Sequence, residues 1–146
     1  MSGGAILKAL TIDALWAWAI IWGPKRVENR SWRTSYRGPL VIHAGQNKTR
    51  DAEALAFLRS QGLDPPVAEC LEEFRGCIIG VVDLVDIVPE KETQGFPFIT
   101  EVGRYLIGSD PFATGPQCWI LEQPRALEIP IPATGKQGIW NLDGHC

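Results

Sequence analysis

Cys77-Ile78-Ile79-Gly80-Val81-Val82-Asp83-Leu84-Val85-Asp86-Ile87-Val88 is the longest strand candidate in the chain. Its β-branched residues fit a pleated surface, and its length predicts burial on at least one face. Two aspartates interrupt it. A carboxylate inside an apolar strand must be hydrogen-bonded or face a cavity. Asp83 is therefore a candidate groove residue, and Asp86 is assigned to a solvated face.

Working upstream, residues 64–75 open with Asp64-Pro65, an N-cap followed by a first-turn proline, which predicts a helix stopping at Gly76. Residues 51–61 carry Ala54, Leu55 and Leu58 at helical spacing, and Gly62 ends that helix. Residues 40–44 read as a short buried strand ending at Gly45. Residues 10–12 begin a strand, Asp13 is placed to cap a helix, and residues 14–22 are apolar all round, which predicts a largely buried helix. Trp18 and Trp22 are one turn apart and are assigned to the core. Gly23 is expected in the left-handed C-terminal position, and Pro24 forbids continuation. Downstream, residues 89–116 form a long Gly-, Pro- and Thr-rich excursion with a short helix near residues 101–106. Strands follow at residues 117–122 and 127–131. Pro130 and Pro132 mark the second as an edge, and residues 138–142 close the sheet. Strand, helix, strands, two helices and strands make an α+β chain. It is expected to be a small, closed or nearly closed barrel with flanking helices, with residues 1–146 as one domain.

The chain has 146 residues, 45% of them hydrophobic and 21% charged, with a formal net charge of -3. That composition is globular, and its sign argues against bulk electrostatic capture of duplex DNA. No apolar run reaches transmembrane length, and the N-terminus lacks a signal pattern, so a cytoplasmic protein without membrane contact is expected. Cys70, Cys77, Cys118 and Cys146 show no Cys-x-x-Cys spacing, which predicts reduced thiols, not a zinc site. His145 lies near the end of the chain. The two histidines predict no metal centre, and no cofactor motif is present.

Charge is concentrated where the core elements leave a gap. Residues 25–37 hold Lys25, Arg26, Arg30, Arg33 and Arg37, five of the 14 basic residues, with Glu28, Trp32 and Tyr36 among them. In an extended chain Glu28, Arg30 and Trp32 share one face, and Lys25 reaches it from the turn at Pro24. One reading is a groove in which Lys25 and Arg30 hold an anionic or polar ligand and Glu28 orients them. In a partly desolvated cleft Lys25 and Glu28 would form a catalytic pair. The competing reading is structural: Glu28 pairs with Arg30 at a sheet rim while Lys25 is solvated. Trp32 is the best stacking residue, Trp16 a second, and Arg37 a further ligand contact. His43, ending a buried strand, reads as a satisfied core histidine, with general base as the competing role.

Gly23-x-Lys25-x-x-Glu28-x-Arg30 resembles the motif of the ASCH domain, a family of the PUA-like superfamily. The stretches "LTIDALWAWAII", "RSWRTSYRGPLVIHAG", "GCIIGVVDLVD", "GPQCWILEQPRAL" and "GKQGIWNL" extend the resemblance from about residue 8 to 142. The resemblance implies a PUA-like β-barrel and a cleft beside the motif, proposed in the family for RNA or other nucleic acid. Some small bacterial members are amidohydrolases of N4-acetylcytidine that use the motif lysine, a threonine three positions on and a distant glutamate. Lys25 matches the lysine, but Glu28 stands where the threonine is required. The expectations are therefore, in order, an RNA or single-strand binding module, a hydrolase of a modified nucleoside or RNA, and a transcription-related adaptor.

Overall fold

The computed structural model describes residues 7–90 and 110–142. The helix expected near residues 101–106, His145 and Cys146 lie outside them. The elements run β1 (Leu7–Asp13), α1 (Ala14–Ile21), β2 (Val27–Arg30), β3 (Gly38–Gly45), α2 (Asp51–Ser60), α3 (Ala68–Leu71), β4 (Cys77–Pro89), β5 (Gln117–Pro132) and β6 (Ile139–Leu142). The strands form one six-stranded sheet in the order β2-β5-β4-β3-β1-β6. β1 pairs with β3 in parallel, while β1–β6 and β2–β5 are antiparallel. This is the α+β, PUA-like class expected from the sequence, with a mixed sheet and not a doubly wound parallel one.

The chain divides into two compact units, the first containing Met1–Pro24, Pro39–Val82 and Pro124–Cys146, the second Lys25–Gly38 and Asp83–Gln123. In the first unit the parallel register sets Ala9 beside Val41 and Thr11 beside His43, and the antiparallel register sets Trp140 beside Ala9. Ala9, Val41, Ile78 and Trp140 pack together on that face. The alternate residues Leu10 and Ile12 are buried on the other parity, as are Leu40 and Ile42. Each such side chain contributes roughly 1.5–3 kcal/mol on leaving water.

Several local expectations are corrected. The α1 backbone buries its small and aliphatic residues, Ala14, Leu15, Ala17, Ala19, Ile20 and Ile21. Its tryptophans point elsewhere: Trp18 is half-buried and Trp22 is 44% exposed. An all-apolar helix gives no periodicity from which to choose the buried stripe, and the narrower residues took it. Asp13 occupies the N-cap but makes no side-chain cap bond; its charge acts on Arg50 instead. Gly23 is not left-handed. Glycine is required there by close approach, because a Cβ would stand 2.8 Å from the Ala19 carbonyl oxygen. The third helix is a single turn starting from Val67, not Asp64. Pro66 behind Pro65 disfavours the helical region for Pro65, and neither supplies an N–H. The two strands expected at residues 117–122 and 127–131 are one strand, bent at Gln123, whose φ is 51°. β2 pairs with only Gln117–Ile120 of it, so Pro130 and Pro132 fall beyond that paired stretch, as their missing N–H groups require.

Candidate functional site: a buried lysine between two carboxylates

β2 builds the site by alternation. Its register places Glu28 opposite Trp119, Asn29 opposite Cys118 and Arg30 opposite Gln117. Glu28 and Arg30 therefore share the face of Trp119, a side chain with no exposure at all. That apolar neighbour desolvates the carboxylate, which is stable there only because it is paired on both sides. Arg30 Nε donates to Glu28 Oε2 at 3.0 Å, and Lys25 Nζ stands 3.6 Å from Glu28 Oε1.

Lys25 is the correction with the largest consequence. It is 3% exposed, so the reading in which it is solvated is excluded, and it is not an open groove contact either. Its ammonium donates to the Val27 carbonyl and lies 5.5 Å from the ring centre of Phe112. Burial lowers its pKa below the ordinary lysine range. The Glu28 charge and hydrogen bond oppose that shift, Asp110 opposes it further, and Arg30 reinforces it. Asp110 moves the other way: burial raises its pKa, against the Phe112 N–H and the Lys25 charge. The four charges, Lys25 and Arg30 against Glu28 and Asp110, sum to zero.

Asp110, Phe112 and Asn29 were not singled out in the sequence. Asp110 Oδ1 accepts from Phe112 N at 2.7 Å. Asn29, on the opposite parity to Glu28 and Arg30, holds the same segment: its Nδ2 donates to Phe112 O at 2.8 Å, and its Oδ1 accepts from Thr114 N and Gly115 N at 2.9 Å each. Only one orientation of the amide satisfies all three bonds.

Around this cluster lie the other expected contacts. Trp32 is half-buried and meets Trp119 edge-on, with ring centres 4.8 Å apart, and its carbonyl accepts the Trp119 indole N–H at 3.2 Å. Arg33 and Arg37 are exposed. Arg33 donates to Gln117 Oε1 and Ile87 O. Arg37 donates to Thr34 O and Tyr36 O, bracing its own turn. Asp83 contributes its charge to Tyr36, whose phenol is raised by burial first and by Asp83 second. Asp86 accepts from the Ile87 amide. Lys25, Glu28, Arg30, Trp32 and Arg37 all belong to the second unit. Trp16 does not: it lies in the first unit, tilted at 59° against Phe57 of α2.

His43, also in the first unit, is a satisfied histidine. Nε2 is 2.7 Å from Ala133 O, which can only accept, so Nε2 carries the proton. Nδ1 is 3.2 Å from Thr11 Oγ1, and that hydroxyl accepts the Trp140 indole N–H at 3.1 Å. Of the cysteines, Cys118 is buried, Cys77 intermediate and Cys70 exposed, all as free thiols. Among the described residues no helix is long and apolar enough to cross a membrane.

Comparison with known proteins agrees with this architecture. A family model described as the ASCH domain matches residues 10–130. Activating signal cointegrator 1 of Homo sapiens is 30% identical over 141 residues, covering 92% of this chain and 22% of the relative. The Mus musculus protein of that name is 29% identical over the same coverage. The chain thus spans about a fifth of the length of these relatives.

Proposed function

The chain belongs to the ASCH domain family, and from that premise we propose that it binds RNA or single-stranded nucleic acid through its second unit. The observation that carries this reading is the arrangement of cations there. Lys25 and Glu28 are buried and mutually paired, while Arg30 keeps 23% of its side chain exposed beside exposed Arg33 and Arg37. Phosphate oxygens would meet the three arginines, and a base would stack on the open part of Trp32. The buried Lys25–Glu28 pair fixes the arginine it adjoins. Because Arg30 belongs to the charge-neutral inner cluster, only Arg33 and Arg37 would release counterions. Binding should be weak, with a slope of log affinity against log salt of about -1.4.

Fluorescence anisotropy of a labelled oligouridylate at low and moderate salt tests the proposal. Arg30→Ala should cost about 1 kcal/mol or more, as expected for a charge-assisted bond, and Trp32→Ala roughly 1–3 kcal/mol. Arg59→Ala, an exposed change in the last turn of α2, should change nothing. Equal loss in all three would mean diffuse attraction without a site.

A second reading is supported by Lys25 itself. An amine whose pKa burial lowers, 3.6 Å from a carboxylate, suits nucleophilic or base chemistry on a modified nucleoside. Hydrolysis of an acylated nucleoside that disappears in both Lys25→Ala and Glu28→Ala would establish it. The name of the relatives supports a third, transcription-related interaction role, which would involve partners outside this site.

A further inference from the structure

Trp22 is the one exposed tryptophan of the six. Trp119 and Trp140 bond their indole N–H groups inside the fold, Trp16 meets Phe57, and Trp32 meets Trp119. Trp22, at the C-cap of α1, is 44% exposed. It stacks on Phe74 with ring centres 5.1 Å apart and planes 22° from parallel. Among the described residues its indole N–H has no partner, and Phe74 is its one ring contact. A large ring held flat from one side, with its other face and its donor unused, is pre-organised for a ligand at little entropic cost.

The charge beside the stack narrows what that ligand is. Phe74 ends a segment that carries Val67, 62% exposed, and Glu69, Glu72 and Glu73, all exposed. Glu72 is neutralised by Arg75 and Lys48, at 2.6 and 3.1 Å. Glu69 and Glu73 have no ion pair among the described residues. Lys48 is engaged by Glu72, and the Arg75 side chain is buried between Glu72 and Asp51. The free charge on this segment is therefore negative, which repels phosphate and favours a cation. An aromatic ring stacked on a segment that carries unpaired carboxylates is the chemistry that takes a guanidinium or ammonium group, by cation–π contact and charge-assisted hydrogen bonds.

We propose that Trp22, backed by Phe74 from the segment that carries Val67, Glu69 and Glu73, is a docking site for a basic segment of a partner protein, taking an arginine side chain on the open face of the indole. The site lies wholly in the first unit and does not depend on the nucleic-acid reading. It would let one chain carry a nucleic-acid contact on one unit and a protein contact on the other.

The test is a titration of the 15N-labelled full chain with a synthetic peptide of alternating arginine and leucine. The Trp22 indole N–H signal is assigned by its loss in Trp22→Phe, a variant that keeps a ring on Phe74. The proposal expects that signal to shift saturably with peptide and not with oligouridylate. It also expects Trp22→Ala to weaken binding about fivefold, as the loss of an exposed cation–π contact implies. Glu69→Lys with Glu73→Lys should weaken it further, while an alternating glutamate–leucine peptide should leave the signal still. Four outcomes overturn the proposal: no shift with the basic peptide, equal affinity after the two charge reversals, a shift driven by the oligonucleotide, or a shift that follows protein concentration alone, which would make the occupant a second copy of the chain.

Discussion

Replacing Asn29 by alanine tests the construction of the site at the point where most of it depends on one side chain. The carboxamide makes three bonds to the 112–115 segment. The bond from Thr114 N is exposed, so water replaces it and its loss costs about 0.5 kcal/mol. The bonds to Phe112 O and from Gly115 N are part-buried. Each leaves a backbone group short of a partner, at about 1–1.5 kcal/mol apiece. The sum predicts a loss of about 2.5–3.5 kcal/mol in urea unfolding, a large share of a small domain's stability. Asn29→Asp separates the two ends of the amide. It keeps both amide donors satisfied but sets a carboxylate oxygen against Phe112 O, so it should lose about 1–2 kcal/mol. Hydrogen exchange should localise the effect, with the Gly115 amide losing protection in Asn29→Ala and keeping it in Asn29→Asp. A loss below about 0.5 kcal/mol in the alanine variant, or unchanged Gly115 exchange, would refute the view that Asn29 holds the segment carrying Asp110 and Phe112.

Lys25→Met should remove the cost of a buried ammonium. The lysine pKa is lowered on folding, so the unfolded chain binds more protons between the folded and unfolded values and wild-type stability rises with pH through that window. Urea melts from pH 7 to 10 should therefore show the wild type gaining on Lys25→Met as pH rises; a constant difference would mean that Lys25 does not titrate under a burial penalty. Gly135→Ala should destabilise by about 1–3 kcal/mol, because its Cβ would fall 2.7 Å from Thr11 Oγ1 and 2.9 Å from His43 Cε1. Thermal melts together with the His43 ring signals check this, and a neutral variant with unchanged ring signals would show that the 133–135 segment can move away from the pair.

The fold was legible where periodicity or punctuation was strong. The residue 77–88 run, the amphipathic α2 and its end at Gly62, with φ of 81°, and the closing β6 all follow from side-chain chemistry within a few residues. α1 was legible as a helix and illegible in orientation, because an element apolar on every side does not say which stripe is buried. The motif was legible in the same partial way. Strand parity placed Glu28 with Arg30, and a turn allowed Lys25 to join them. What spacing could not show was that Trp119 lies across from Glu28, or that Asp110 and Phe112 arrive from more than 80 residues away to enclose Lys25. Nor could it show that the intervening Asn29 holds them. The first arises from strand register, which a single sequence leaves open in a short strand with polar residues on both faces, and the others from a loop with no periodic pattern to read.

The most direct test of the account is amide mapping of the 15N-labelled chain titrated with a single-stranded RNA at low salt. The account predicts saturable shifts concentrated at Arg30, Trp32, Arg33 and Arg37, fading as salt rises, with the Trp22 indole signal unmoved. Shifts centred on Trp22 and Phe74, or no saturable shifts at any salt, would contradict it.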